Sequence, residues 1–119
     1  MRKDDVIRLQ HMLDAAQEAI EFSKGRSVFD LNVDRKLVLA LVKAVEIIGE
    51  AAYQISQTTR DQLSNIPWDD IIGMRHRLVH AYFGTDAKIV WETATALIPT
   101  LKPQVMQVLD TESQNASDD

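Results

Sequence analysis

Leu37-Val38-Leu39-Ala40-Leu41-Val42-Lys43-Ala44-Val45-Glu46-Ile47-Ile48-Gly49-Glu50-Ala51-Ala52-Tyr53-Gln54-Ile55 is the stretch on which the fold turns. Leu37, Leu41, Ala44, Ile48, Ala51 and Ile55 recur at steps of three and four, which is one buried stripe of a helix. Val38, Val42, Val45 and Ala52 form a second stripe beside it. Two apolar flanks predict a central helix packed on two sides, with part of its width left for a partner chain. Asn32 or Asp34 supplies its N-cap, and the pattern runs to about Thr58. Gly49 costs ~1 kcal/mol against Ala inside a helix. The close approach of another helix would justify it. Glu46 and Glu50, one turn apart, share a face.

Working outward, Val6, Leu9, Leu13, Ala16 and Ile20 predict an amphipathic helix over residues 4–23, stopped near Gly25. Phe29 and Leu31 are expected to fold back from the loop that follows. On the other side, Ser64-Asn65-Ile66-Pro67 opens a further helix, with Asp69 and Asp70 suited to its positive end. Ile71, Ile72, Leu78, Val79, Tyr82 and Phe83 carry it to Gly84. Asp86 caps a fourth helix that turns Ile89, Val90, Ala94 and Leu97 inward. Pro99 breaks that pattern and starts a short extra C-terminal helix faced by Leu101, Val105 and Val108. The expectation is an all-α, up-down four-helix bundle with a short extra C-terminal helix. It forms one domain over residues 1–110, followed by a disordered acidic tail over 111–119.

The totals narrow the function. With 119 residues, 45% hydrophobic and 26% charged, the chain suits one globular domain. Four Gly and three Pro are too few for a turn-rich β protein. The absence of Cys removes disulfides, a thiol nucleophile and thiolate metal sites. The longest apolar run, Leu37 to Val42, cannot span a bilayer, and Met1 to Asp5 carries no apolar signal core. No membrane partner is expected, and the cytoplasm is the expected location. A net charge of -5 argues against a DNA coat, which needs dense phosphate neutralisation, but leaves room for a small cationic site.

Such a site exists at Arg75-His76-Arg77-Leu78-Val79-His80-Ala81-Tyr82. One reading is structural: cations favour a helix C-terminus, and Tyr82 belongs to the core. The other is chemical. An RNA strand breaks when a 2'-hydroxyl attacks the adjacent phosphate, which needs a proton carrier and stabilised phosphate charge. A histidine titrates near neutrality and an arginine fork holds phosphate oxygens, so no metal or cofactor is required. Arg75 and His80 differ by about 140° and about 7.5 Å on a straight helix, too far to grip one phosphate together. Two copies of the helix across a two-fold axis would instead build a composite cleft. His76 and His80 have a zinc-like spacing, but no further ligand can be named, so no metal site is expected.

Arg75-x4-His80-x-Tyr82 resembles the Arg-x4-His-x-Tyr motif of HEPN-domain toxins, specifically the HepT family. His76 stands where that superfamily commonly has Asn, Asp or His. Ile48-Gly49-Glu50-Ala51 resembles the family's Gly-Glu-Ala segment, and Ile66-Pro67-Trp68 with Ile72-Gly73-Met74-Arg75 resembles its approach to the motif. The likeness covers about residues 4–110. It implies a metal-independent endoribonuclease toxin of a type II toxin–antitoxin module, acting on RNA as a homodimer, with Arg75 and His80 catalytic. It also implies an MntA-like nucleotidyltransferase antitoxin that AMPylates Tyr82. The added charge and bulk would repel RNA phosphate. His76 is either a supporting residue or a polar residue on a wet interface. Glu50 either supports Arg75 or His80, or joins Lys43, Glu46 and Gln57 in a solvated stripe. His11 reads as a surface residue. Trp68 and Trp91 read as core, and Trp68 beside Pro67 also as a cleft rim. A second reading stays open: a non-catalytic HEPN-like dimer that binds a nucleotidyltransferase or a nucleotide.

Overall fold

A computed structural model describes the backbone of residues 1–84 and 87–118, and the side chains of residues 1–78 and 87–115. Every regular element in it is helical. In chain order these are α1 (Lys3–Ser23), α2 (Asp30–Val33), α3 (Arg35–Gln54), α4 (Gln57–Gln62), α5 (Trp68–Gly84), α6 (Ala87–Glu92), a π-helical turn (Thr93–Leu97) and α7 (Ile98–Asp118). The protein is an all-α bundle built around α3, which packs against α1 on one side and α5 on the other. α7 closes the bundle against α1.

The stripes explain this arrangement. Leu37, Leu41, Ala44, Ile48, Ala51 and Ile55 are all buried. So are Val42, Val45 and Ala52 of the second stripe, while Val38 packs against the core from its edge. The second flank was expected to leave width for a partner chain, but the chain's own helices fill it. Leu9, Leu13 and Ala16 of α1 are buried, and Met12, Ala15 and Ala19 share the load. Each large apolar side chain fully removed from water contributes roughly 1.5–3 kcal/mol. Ile48, with no exposed surface, lies where α3 is enclosed.

Local chemistry sets the ends. Gly25 adopts φ 72°, a left-handed conformation that a residue with a Cβ resists, and it turns the chain after α1. Arg26 then bridges Asp30 at 3.4 Å and Asp34 at 2.8 Å. Leu31 is buried as expected, but Phe29, the residue before the short α2, is 75% exposed. Asp34 caps α3 by accepting from the Leu37 N–H at 3.2 Å.

α3 stops at Gln54, short of the expected Thr58, and Ile55 is extended. The cause lies 51 residues away. The carboxylate of Asp5 accepts from the Ser56 N–H at 3.0 Å, the Ser56 hydroxyl at 2.7 Å and the Thr59 hydroxyl at 2.6 Å. Ser56 in turn caps α4 by accepting from the Thr59 N–H. Gln57 therefore sits on α4, hydrogen-bonded to Asp61, and not on the α3 stripe with Lys43 and Glu46.

The C-terminal region differs from expectation in three ways. Pro99 does not begin a short separate helix. α6, the π turn and α7 run on without a gap from Ala87 to Asp118. Pro99 has no N–H for the carbonyl of Thr95, and the backbone answers by widening the turn before it, with the Ile98 N–H reaching back to Thr93. Ile89 is 38% exposed, whereas Val90 and Ala94 are buried. Residues 111–118 continue α7 where composition suggests a disordered tail. Once Leu101 and Val105 dock a helix, each further residue adds a hydrogen bond at low cost, and no Gly or Pro follows Pro103. Asp86 lies outside the described residues.

Candidate active site

Pro67 ends the preceding loop, and its carbonyl accepts the first helical bond of α5 from the Ile71 N–H at 3.0 Å. Trp68 is buried and donates its indole N–H to the Leu63 carbonyl at 3.0 Å, which fixes the start of the helix. With Pro67 it also lines a cavity of 430 Å³, so it is both core and rim. Ile71, Met74 and Leu78 bury the inner face of α5. Arg75 falls next to that face, where α5 passes α3.

Gly49 makes this passage possible. A Cβ built on Gly49 would lie 3.0 Å from the Cβ of Arg75 and 3.5 Å from the carbonyl oxygen of Ile71. The missing side chain lets the two backbones approach at Arg75, which justifies a mid-helix glycine.

The next residue uses the closeness. The Arg75 guanidinium donates to Glu50 at 2.6 Å. The other carboxylate oxygen of Glu50 accepts from the side chain of Gln54 at 2.8 Å. Both oxygens are thus occupied, and Glu50 cannot swing away without losing two partners. The Arg75 and Glu50 side chains are 51% and 47% exposed. At that exposure an ion pair contributes roughly 0–1 kcal/mol to stability. Its effect is therefore orientation: one side of the guanidinium is held and the remaining donors face solvent. Glu50 therefore lies against Arg75 and Gln54, with Gln57 on another helix. Gln54, which the sequence reading did not single out, is visible in hindsight as the residue one turn after Glu50.

Arg75 opens onto a cleft of 360 Å³ between α1, α3 and α5. Arg8 and His11 come from α1, and Lys43, Glu46, Ile47, Glu50 and Ala51 from α3. His11, read from sequence as a surface residue, is exposed but shares the cleft with Arg75. The available signal was the i, i+3 spacing of Arg8 and His11 beside the apolar stripe of α1. His76 is exposed on the α5 surface. The side chains of His80 and Tyr82 lie outside the described residues, although the helical backbone extends through both positions. Among the described residues no three His, Asp or Glu side chains converge as a metal site, and no helix is long and apolar enough to cross a membrane.

A bundle of this kind, with a braced arginine at its α3–α5 crossing, is HEPN-like in architecture. The chain belongs to the Ribonuclease HepT-like family, whose profile matches residues 12–108. It is 41% identical over 104 residues to a candidate RNase of Caldanaerobacter subterraneus subsp. tengcongensis, covering 87% of this chain and 93% of that protein. It is 34% identical over 102 residues to a protein named probable ribonuclease HepT from Thermococcus cleftensis, covering 86% and 93%. A Methanocaldococcus jannaschii protein, named as a gamma-glutamylcyclotransferase and candidate RNase, is 32% identical over 115 residues. There the match takes in 97% of this chain but only 52% of the longer relative. No solved structure matches the chain significantly.

Proposed function

We propose that this protein is a metal-independent endoribonuclease whose site is completed by a second copy of the chain. The observation that carries the reading is Arg75, half exposed, braced by Glu50 and open to a cleft. An arginine fork held in that way can take two phosphate oxygens and keep its charge as the 2'-hydroxyl attacks. His80 carries the proton at the attacking or leaving oxygen. α5 is unbroken from Trp68 to Gly84. Positions 75 and 80 therefore diverge by about 140° and stand about 7.5 Å apart along the helix. This supports a site in which Arg75 of one copy meets His80 of the other. The second α3 stripe no longer argues for a partner, because the chain's own helices fill it.

The same reading makes the protein a cytoplasmic toxin of a type II toxin–antitoxin module, with residues 1–110 as its functional domain. An MntA-like nucleotidyltransferase silences it by transferring AMP from ATP to Tyr82. The phenol lies two residues from His80, so an attached AMP places a phosphate where the RNA phosphate must come. His76 supports the site from the same helix. Membership of the HepT-like family supports this assignment.

Purified protein incubated with RNA in chelator should yield fragments ending in 2',3'-cyclic phosphate, and Arg75→Ala and His80→Ala should each lower their yield by at least about 10²-fold. Mixing the two impaired variants should restore part of the activity, because one intact composite site forms in each mixed dimer. Undiminished cutting by His80→Ala would reject the catalytic pair, and no recovery on mixing would reject the composite site. Mass spectrometry after incubation with the nucleotidyltransferase and ATP should show AMP added to the wild type and not to Tyr82→Phe. RNA left intact by the wild type, with the partner still bound, would favour the non-catalytic dimer.

A further inference from the structure

We infer that the α1 side of the cleft, formed by Arg8 with His11 and Lys43, binds an RNA backbone phosphate adjacent to the one that Arg75 holds. This rests on the ribonuclease reading above and names the part of the substrate that the cleft takes beyond the scissile bond.

The charge in the cleft is the first argument. Arg8, Lys43 and Arg75 face two carboxylates, Glu46 and Glu50, in a protein of net charge -5. Both carboxylates are occupied: Glu46 lies 3.8 Å from Lys43, and Glu50 accepts from Arg75 and Gln54. Arg8 makes no ion pair among the described residues. Carboxylates are close in sequence on α1. Asp5 is committed to Ser56 and Thr59, and Asp4, one turn before Arg8, forms no bridge to it. A half-buried arginine left without a carboxylate beside an acidic helix start is a cation reserved for an outside anion.

Shape and position are the second argument. The cleft volume of 360 Å³ falls within the roughly 300–1,000 Å³ of ordinary ligand sites. Its lining is mainly polar. Ile47, 38% exposed, and Ala51 add a small apolar floor on which a ribose or base edge can rest. Arg75 closes one side of the cleft, so a strand whose phosphate sits on Arg75 can run on across Arg8, His11 and Lys43. The imidazole of His11 and the ammonium of Lys43 add hydrogen-bond donors that suit a passing phosphate.

The test uses the full chain and a labelled single-stranded 2'-O-methyl RNA, which cannot be cut because its attacking hydroxyl is blocked. Fluorescence anisotropy in chelator should show Arg8→Ala binding about five- to tenfold more weakly than wild type. Its plot of log affinity against log salt should be shallower by about 0.7, the loss of one phosphate contact to a single strand. Arg8→Lys should recover most of the affinity, and Lys36→Ala, outside the cleft, should bind as wild type. With cleavable RNA, Arg8→Ala should raise KM by a similar factor and leave kcat within about twofold. Unchanged affinity and salt slope in Arg8→Ala overturn the inference. So does a fall in kcat at constant KM. If the wild type binds the blocked RNA through Arg8 yet cuts no RNA, the ribonuclease reading fails and the subsite stands. If it cuts RNA and Arg8→Ala is indifferent, the subsite fails and the ribonuclease reading stands.

Discussion

Two carboxylates in this molecule gather donors from distant parts of the chain, and they are put to opposite uses. Asp5 is 3% exposed and accepts three hydrogen bonds from Ser56 and Thr59. Glu50 is about half exposed and accepts from Arg75 and Gln54. The chemistry is similar, but water is excluded from one and not from the other. A buried carboxylate left without its donors costs far more than an exposed one, so Asp5 holds the α1–α4 junction in place. Glu50 adds little to folding, and what it fixes is the aim of a cation. Charge networks in a small bundle thus divide into locks and pointers according to burial.

The strongest way to break this contrast is Arg75→Ala. If the Glu50 contact is a pointer, RNA cutting should fall by about 10²–10³, the usual loss when one donor to a developing anion is removed. Thermal stability should barely change, because an exposed pair carries at most ~1 kcal/mol. Single-turnover cleavage alongside a melting curve reads both quantities. A large drop in melting temperature with proportionate loss of activity would place Arg75 with the locks.

The converse experiment is Asp5→Asn. The amide cannot accept at both oxygens, so buried donors of Ser56 and Thr59 lose partners, and about 1–3 kcal/mol of stability should go with them. Activity per folded molecule should persist. The pH dependence gives a second check. Burial alone would raise the Asp5 carboxyl, but hydrogen bonds from Thr59 and Ser56, with Arg2 nearby, outweigh it and hold the group below its ordinary value of 3.8. A carboxyl lowered in the folded state contributes stability above its unfolded value and loses it as pH falls through the folded one. The gap in denaturation midpoint between wild type and Asp5→Asn should therefore be widest near neutrality and shrink as pH drops below about 4. A gap independent of pH would show that the carboxylate's charge is not what secures the junction.

The same contrast explains what was legible in the sequence. Apolar spacing announced α1, α3 and α5, because burial of a helix face leaves a periodic trace in the chain itself. The α3–α5 crossing was readable too: Gly49 stood out as a costly residue in a helix, and Glu50 and Arg75 belonged to segments that resemble a known family. The end of α3 was not readable. Ser56 and Thr59 look like continuing helix unless Asp5 is known to lie against them, and nothing local says so. Pro99 was seen, but not that the chain would absorb it in a π turn and continue. Phe29 and Ile89 fit an apolar pattern and yet remain exposed, since periodicity gives a face but not whether a neighbour reaches it. His11 is exposed, as read, but its place in the cleft beside Arg75 was not legible for a related reason. Its partners in the cleft come from α3 and α5, and only packing brings them together.

Two smaller changes sharpen the pointer itself. Gly49→Ala should gain up to ~1 kcal/mol of helix propensity, against the cost of a new Cβ 3.0 Å from that of Arg75. These terms oppose each other, so stability should move by less than about 1 kcal/mol while α5 is pushed outward and Arg75 loses its aim. A shift of a fraction of an ångström at a reacting group, with 1 Å worth about 10²-fold, makes a loss near tenfold the expected result. Wild-type activity in Gly49→Ala would mean that the site tolerates slack at the α3–α5 crossing.

Glu50→Gln is the gentlest change, because the amide can still accept from Arg75 through one oxygen while its charge is gone. If Glu50 works by holding the guanidinium in place, the retained hydrogen bond should preserve most of the activity. A loss of about two- to fivefold corresponds to less than ~1 kcal/mol, in line with a half-exposed pair. If Glu50 instead lowered activity by cancelling the charge of Arg75 towards phosphate, Glu50→Gln would bind RNA more tightly and cut faster. The sign of this small effect therefore distinguishes a brace from a brake, which the contact distance of 2.6 Å cannot do alone.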